Sequence, residues 1–246
     1  PLYSSAASDV YKRQVQYSKF SWDITLNGSY NSNEVLDLGG QPAGTGTVRN
    51  AEGFPINSIW DRPYTFADAN GNGMIEIAEV NVDSTPRFMG YSVPRTELSI
   101  QNGFDLLKDG QLRVTFLIDG KLGGLLNNTT ERFRCATRLN SQERIDPSAP
   151  LARQARCAAF QKPGVLSTNF GFFEPTDYWR LRELAVSWRI PPSLASRLPM
   201  AKNGTITLSG RNLKLWSDFT GVDPETTGGV GNIQDEFQIT PPLQTW

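Results

Sequence analysis

Histidine is absent from the chain, and cysteine occurs only twice, at Cys135 and Cys157. Without an imidazole the chain cannot assemble Ser-His-Asp or Cys-His catalysis, and most zinc sites lose a usual ligand. The acidic residues are spread through the chain without a distinctive pair, so glycoside hydrolysis by two carboxylates has no support. The sequence therefore predicts a protein that is not an enzyme.

A long apolar run and an excess of positive charge are missing as well. No stretch of about 18 apolar residues occurs, so no transmembrane helix is predicted. The formal net charge is −1, which excludes the basic surface that nucleic-acid binding needs. We therefore expect no nucleic-acid partner.

The two cysteines lie in one loop-like segment without a CxxC or other metal-type spacing. They predict one disulfide, formed in an oxidising compartment, with two reduced and buried thiols as the alternative. Loop-closure arithmetic gives such a bridge about 3 kcal/mol of stabilisation. The neighbouring residues 150–160 (PLARQARCAAF) predict a short helix with proline near its start.

What the chain does have is period-two patterning, which is typical of strands with one apolar and one polar face. Apolar residues alternate with polar ones from residue 20 to 27, from 96 to 121, from 183 to 190 and from 205 to 209. Asp109-Gly110 is a strong hairpin signal. The first hairpin then pairs Leu106 with Leu112 and Phe104 with Val114, and the second pairs Val186 with Leu208.

In the second hairpin, the alternation changes phase near Arg182 on one strand and near Arg211-Asn212 on the other, at positions that face each other in the predicted pairing. Such a coincidence predicts a β-bulge or the edge of an apolar band.

Connection lengths alternate along the chain. Short links at 108–110 and 191–203 alternate with long loops at 31–95, at 124–177 and from 217 onward. Short turns on one side and long loops on the other are typical of an outer-membrane barrel. Tyr178, Trp179, Trp216 and Phe219 would form an aromatic girdle at one rim. The alternative is a β-sandwich, in which the same aromatic residues would be core.

Three stretches resemble SusC/RagA-type TonB-dependent outer-membrane transporters, in the same order along the chain. They are DYWRLRELAVSWRIP at 177–191, SGRNL at 209–213 followed by TGVDPE at 220–225, and GYSVPRTELSIQ at 90–101 together with the loop at 68–79. The resemblance covers roughly residues 15–246. It rests on the ordered combination, since no single stretch is specific.

The resemblance implies an all-β fold: an antiparallel up-and-down meander that forms the C-terminal part of a 22-stranded transmembrane β-barrel closed around a plug. It also implies TonB-driven uptake of oligosaccharides or peptides, a SusD-like surface lipoprotein as partner, outer-membrane lipid around the barrel and extracellular loops. The expected location is the outer membrane of a Gram-negative bacterium. The plug, the TonB box and most strands would lie outside this chain, and we expect it to be a fragment that stops just inside the final strand.

Residues 1–14 (PLYSSAASDVYKRQ) are predicted to be a non-native segment. They lack the charged start, apolar core and small-residue cleavage site of a signal peptide, and they resemble a translated sequencing-adapter read-through. The transporter portion is predicted to span residues 15–246.

A calcium loop is predicted at residues 68–79, because they match the pattern D-x-[DN]-x-[DN]-G-x5-E. Gly73 permits the sharp turn, and two of the usual carboxylates are asparagines, so weak binding of about 10⁻⁴–10⁻³ M is expected. A polar loop tip without metal is the alternative. Oxygen ligands for Ca²⁺ would come from Asp68, Asn70, Asn72, the Met74 carbonyl, Glu76 and Glu79.

Charged and amide side chains on the polar strand faces would line the barrel lumen, where pairing with one another or with the plug is expected. These candidates are Glu97, Gln101, Arg113, Asp119, Glu183 and Arg189. Aromatic loop residues such as Trp60, Tyr64 and Phe66 could stack on sugars. The second functional hypothesis is a secreted, calcium-dependent β-sandwich that binds carbohydrate.

Overall fold

A computed structural model describes residues 11–17, 19–136, 141–197, 203–226, 235–236 and 240–246. Antiparallel strands dominate the regular structure of the chain, with one parallel pair among the described strands and few helices. The strands are β1 (Tyr11–Tyr17), β2 (Phe20–Tyr30), β3 (Val48–Arg49), β4 (Ser58–Asp61), β5 (Tyr64–Phe66), β6 (Val80–Val82), β7 (Arg87–Tyr91), β8 (Thr96–Leu106), β9 (Leu112–Leu122), β10 (Leu125–Asn128), β11 (Phe173–Pro175), β12 (Tyr178–Ile190), β13 (Gly204–Ser217) and β14 (Asp235–Glu236). The helices are α1 (Thr129–Ala136), α2 (Leu151–Phe160) and α3 (Pro192–Ala195).

Six long strands form one sheet, which we call the wall, in the order β1-β2-β8-β9-β12-β13. Every neighbouring pair is antiparallel. Along the chain, consecutive wall strands are also neighbours in the sheet. The predicted all-β, up-and-down meander is therefore confirmed.

The predicted registers are confirmed too. Leu106 pairs with Leu112 and Phe104 with Val114, while Val186 pairs with Leu208. The turn of the first hairpin has left-handed backbone at Asp109 (φ 57°) and Gly110 (φ 63°), which asparagine, aspartate and glycine adopt most readily.

The wall begins with a hairpin that the sequence pattern does not indicate, because β1 ends at Tyr17 and β2 begins at Phe20. No Gly, Asn or Pro marks the connection in the sequence. Residues 11–14, which belong to the predicted non-native segment, form the first half of β1 and pair with β2 from Leu26 to Asp23. The rest of the predicted non-native segment lies outside the described residues.

One face of the wall carries the apolar side chains and stays open. Ile206 and Leu208 are 57% and 69% exposed, and Leu184, Val186 and Trp188 lie between 36% and 38%. In the described part of the chain, no second sheet covers this face, as the sandwich alternative would require. One amide interrupts the apolar face: Asn102 is buried, and its Oδ1 accepts a hydrogen bond from Trp22 Nε1 at 3.0 Å.

The long loops at 31–95 and 123–177, together with β14 at residues 235–236, lie at one end of the wall and form what we call the cap. It contains a three-stranded sheet β3-β4-β7, a second three-stranded sheet β11-β10-β14 and the pair β5-β6. Helix α2 confirms the predicted helix at 150–160. Its apolar side packs Ala155, Ala158 and Ala159 against Ile75, Val80 and Val82. Within the described residues, no helix is long and apolar enough to cross a membrane.

Candidate functional site on the polar face of the wall

The wall register places the six predicted lumen residues on one face. Glu97 pairs with Lys121, and Asp119 with Ser99. Glu183 pairs with Arg211, and Arg189 with Thr205. Gln101 and Arg113 follow by the same alternation, since side chains two residues apart along a strand share a face. The structure thus brings all six onto the face opposite the exposed apolar one; that this face lines a lumen remains a prediction.

Charged groups on this polar face pair with one another, as expected. Arg113 bridges Asp23 and Asp105, with both N–O distances at 2.8 Å. Lys121 Nζ lies 3.1 Å from Glu97, and Arg211 Nε lies 3.4 Å from Glu183. Exposed pairs of this kind contribute about 0.2–1 kcal/mol each, so they organise the face more than they stabilise it.

A β-bulge interrupts the wall at Arg182. The pairings of β12 with both β9 and β13 shift between Leu181 and Glu183, and Asn212 on the facing strand has a left-handed φ of 53°. The predicted bulge is therefore confirmed. Because of the extra residue, Arg180, Arg182 and Glu183 all lie on the polar face, where bulges commonly redirect side chains.

The TGVDPE segment (residues 220–225) returns to these two arginines. Arg180 Nη2 donates to both carboxylate oxygens of Asp223, at 2.7 and 2.6 Å. Arg182 Nη2 donates to Glu225 Oε1, and Arg182 Nε donates to both oxygens of Asp119 at 2.8 Å. Charge-assisted bonds of this kind are roughly twice as strong as neutral ones, so the segment is held firmly across the polar face.

The electrostatics of Glu225 follow from this cluster. Burial alone would raise the pKa of Glu225, but the hydrogen bond from Arg182 and the charges of Arg182 and Arg180 outweigh it and hold the pKa below its usual value. A lowered carboxyl pKa stabilises the fold above the unfolded pKa, and this contribution is lost as the pH falls through the folded pKa. The contact is therefore intact at neutral pH.

Tyr178 differs from its predicted place in the aromatic girdle. It is only 2% exposed, and its hydroxyl accepts a hydrogen bond from Arg182 Nη2 at 3.3 Å. Its side chain thus lies on the polar face. Trp179 and Trp216 are direct cross-strand partners, and Trp216 is 47% exposed on the apolar side, which fits the rim position predicted for these two residues.

Two further contacts tie the TGVDPE segment to the cap. Glu174 accepts hydrogen bonds from the Thr220 amide and hydroxyl, both at 2.8 Å. The Val222 amide donates to Glu236 Oε1 at 3.4 Å. Because Glu174 lies in β11 and Glu236 in β14, one short segment joins the wall to the cap.

Inside the cap, the disulfide between Cys135 and Cys157 is formed and joins α1 to α2. Both cysteines are buried, and they pack against Phe172. Arg156, one residue before Cys157, pairs with Glu131 of α1 at 2.9 Å and lies over the ring of Phe172 at 5.2 Å. The bridge therefore sits at the centre of the α1–α2 packing.

The predicted calcium loop adopts a tight, self-bonded turn. Asp68 accepts hydrogen bonds from the amides of Asn72 (3.1 Å) and Gly73 (2.9 Å), and Gly73 has a φ of 76°. Glu79 folds back to accept from the amides of Ala69 and Glu76, both at 2.9 Å. The described residues contain no metal-holding group of three or more His, Cys, Asp or Glu side chains. The predicted donor set also includes amide and carbonyl oxygens, and calcium binding stays a prediction.

Gln154 of α2 connects this loop to the disulfide helix. Its side chain is 1% exposed. Its Oε1 accepts from the Ile75 amide at 2.7 Å, and its Nε2 donates to the carbonyls of Gly73 (3.0 Å) and Ala149 (2.8 Å). All of these buried polar groups are thus paired, which avoids a desolvation penalty of about 1–3 kcal/mol each.

Of the three loop aromatics predicted as candidates for sugar stacking, Trp60 and Tyr64 pack against other rings of the cap. Trp60 contacts Phe54 edge-on at 4.6 Å between centroids, and Arg49 lies 5.0 Å from its ring centre. Tyr64 contacts Phe170 at 6.1 Å. Phe66 is 39% exposed. The faces of Trp60 are therefore engaged within the cap.

The sequence patterns did not predict the residues that connect distant segments of the wall and the cap, namely Arg180, Asp223, Glu225, Gln154 and Arg156. Their partners lie far away in sequence, and no periodicity points to them. Helix α1 was missed as well, although Asn128 caps it by accepting from the Glu131 amide at 3.0 Å. An Asn followed three residues later by Glu is a helix-start signal, so this element could have been found.

Two curated proteins of Formosa agariphila are similar to the chain in sequence, and no family model matches it. TonB-dependent receptor P26 is 25% identical over 266 residues, which cover 91% of this chain and 26% of that protein. TonB-dependent receptor P3 is 26% identical over 240 residues, covering 94% and 21%. The chain therefore spans about a quarter of the length of these relatives.

Solved structures show the same fold. A structure of the RagAB peptide transporter aligns with 17% identity and a TM-score of 0.64, covering 91% of this chain and 26% of that one. The RagAB peptide importer in its "closed-closed" state aligns with 17% identity and a TM-score of 0.66. Together with the sequence relatives, these structures confirm the predicted resemblance to SusC/RagA-type TonB-dependent transporters.

Proposed function

We propose that this chain is a wall segment of a TonB-dependent outer-membrane importer that takes up a nutrient such as an oligosaccharide or a peptide. The observation that carries the proposal is the asymmetry of the wall, with large apolar side chains exposed on one face and paired charges on the other. A closed barrel needs this arrangement, because its outer face meets lipid and its inner face meets water.

The remaining parts of the proposal follow from this orientation. The wall would continue into a 22-stranded barrel around a plug, with its apolar face against outer-membrane lipid. The cap would lie outside the cell, where a SusD-like surface lipoprotein would cover it. TonB would act through another part of the protein. Support comes from the resemblance to TonB-dependent receptors and from the long loops grouped at one end of the wall.

Spin labels on neighbouring residues of β13 test the orientation of the wall. Leu208 and Thr207 are both exposed but lie on opposite faces. The experiment uses the full-length protein in lipid bilayers. Oxygen dissolved in the membrane should accelerate the spin relaxation of a label at Leu208→Cys, and a water-soluble nickel chelate should accelerate that of a label at Thr207→Cys. In the competing carbohydrate-binding sandwich, neither label would contact lipid. Equal oxygen accessibility at both sites would contradict the proposal.

The loop at residues 68–79 would add a calcium site to the cap. Its support is the match in donor set and turn: carboxylates at Asp68, Glu76 and Glu79, amides at Asn70 and Asn72, and left-handed backbone at Gly73. When bound, calcium would supply a positive centre that fixes these oxygens and, through the Gln154 contacts, braces the loop against α2. The two amide ligands keep the expected affinity low.

A further inference from the structure

Two arginine–carboxylate contacts hold the TGVDPE segment, and they differ in burial. We call the pair Arg180–Asp223 the anchor and the pair Arg182–Glu225 the clasp. Both side chains of the anchor are 4% exposed, whereas those of the clasp are 20% and 25% exposed. Breaking a buried pair is strongly destabilising because an uncompensated charge is left behind. The anchor is therefore the harder contact to break, and the clasp is the contact that solvent and solutes can reach.

Arg182 does not depend on Glu225 for its position. Its Nε donates to both oxygens of Asp119 at 2.8 Å, and its Nη1 donates to Asn212 Oδ1 at 3.4 Å. If Glu225 moves away, the guanidinium keeps its place and a compensating charge. Its Nη2, which bonds Glu225, then points to an open position.

Glu225 fills that position incompletely. Its Oε2 is buried and receives no hydrogen bond from any described residue. It lies 3.4 Å from Arg180 Nε, a nitrogen that is likewise buried and without a hydrogen-bond partner in the described chain. Arg180 as a whole is 3% exposed. These two buried atoms therefore form an ion pair whose geometry does not make a hydrogen bond.

We propose that Arg180 Nε and Arg182 Nη2 form a binding site for the carboxylate of a solute, and that Glu225 occupies this site when the solute is absent. A free carboxylate can orient to accept a hydrogen bond from both nitrogens, whereas Glu225, which directly follows Pro224 in the chain, makes that bond only with Arg182 Nη2. The exchange is a substitution of one carboxylate for another. This proposal rests on the proposed function only in one respect, namely that the polar face must be open to solutes.

The consequence is a loop that responds to acidic cargo. Displacement of Glu225 releases the clasp but leaves the anchor at Asp223, so the motion is confined to the residues after the anchor, while Thr220 and Val222 keep their contacts to Glu174 and Glu236. The class of ligand is a solute with a free carboxylate, such as a peptide C-terminus or a uronic acid.

Hydrogen–deuterium exchange of the purified full-length protein tests this site with matched probes. N-acetylglycine and galacturonate carry a carboxylate, while N-acetylglycinamide and galactose are their neutral counterparts. The acids should accelerate amide exchange in residues 217–226, and the neutral compounds should not. The sugar and peptide arms separate the two sources of the carboxylate. If acids and neutral compounds act alike at millimolar concentration, the proposal is wrong.

Variants sharpen the test. Glu225→Gln removes the competing charge, so the acid probe should bind about tenfold more tightly if Glu225 fills the site about nine-tenths of the time. Glu183→Gln is the control, because Glu183 lies on the same strand as Arg180 and Arg182 but pairs with Arg211. The affinity of this variant for the acid probe should stay unchanged. Equal affinities for the wild type and Glu225→Gln would overturn the proposal. The spin-label experiment on β13 tests only the orientation of the wall. Failure of the proposed function and failure of the carboxylate site can therefore be told apart.

Discussion

The wall and the cap are built from the same kind of chain but are held together differently. Wall strands run for 11 residues in β2, β8 and β9, for 13 in β12 and for 14 in β13, and backbone ladders join them. The longest cap strand, β7, has 5 residues. The cap relies instead on a disulfide, on the buried Gln154 and on Arg156, which hydrogen-bonds Glu131 and lies within 4.0 Å of the Glu143 and Glu174 carboxylates. The wall should therefore tolerate side-chain changes that the cap does not.

Removing the disulfide should produce the largest difference between the two regions. The double variant Cys135→Ala/Cys157→Ala releases a loop closed over 22 residues and should cost about 3 kcal/mol. Limited proteolysis of the full-length protein should then cut residues 123–177 faster, while the wall stays protected. Reductant should have this effect on the wild type and none on the double variant. Equal cleavage of both proteins would show that the bridge contributes little.

Calcium should stabilise the cap without changing the wall. At free calcium about tenfold above the dissociation constant, mass action gives about 1.4 kcal/mol. Calorimetric titration should show a heat of binding that disappears in Glu79→Gln and persists in Glu52→Gln, a control because Glu52 lies in the same long loop outside residues 68–79. No heat at millimolar calcium would remove the predicted site.

The smallest effect is expected on the wall, at Gly103. A Cβ there would collide with Arg113 Nη2 and lie 2.7 Å from Asp23 Oδ1. Gly103→Ala should therefore separate Arg113 from Asp23 at a cost of about 1 kcal/mol, the upper end for an exposed pair. Thermal unfolding followed by gel mobility measures it, with Thr115→Ala, the cross-strand neighbour, as the control. A loss above that of the disulfide variant would contradict the comparison.

The same contrast explains what could be predicted from the sequence. Faces and register in the wall follow from a repeat of two, so that Phe104 opposite Val114 and Val186 opposite Leu208 could be paired in advance. A one-residue slip would invert every side chain, which leaves few alternatives. In the cap no such repeat operates. Gln154 reaches Gly73 across 81 residues, and only the folded chain shows that contact.

The candidate site on the polar face is intermediate between the wall and the cap in how much of it the sequence predicts. The six polar-face residues could be predicted because alternation alone assigns them to a face. The partners of Arg180 and Arg182 could not, because Asp223 and Glu225 each lie 43 residues further along the chain. The bulge at Arg182 was visible as a change of phase, but its effect on side-chain direction depends on both neighbouring strands.

The hydrogen bond from Trp22 to Asn102 has a consequence for how this sequence can change over time. On a face that we propose meets lipid, an amide is tolerated only while it is hydrogen-bonded, and here the Trp22 indole donates to Asn102 Oδ1. Replacing Trp22 first would strand the amide, whereas replacing Asn102 first would strand the indole N–H. Positions 22 and 102 should therefore covary among relatives, as a tryptophan with an amide or as two apolar residues.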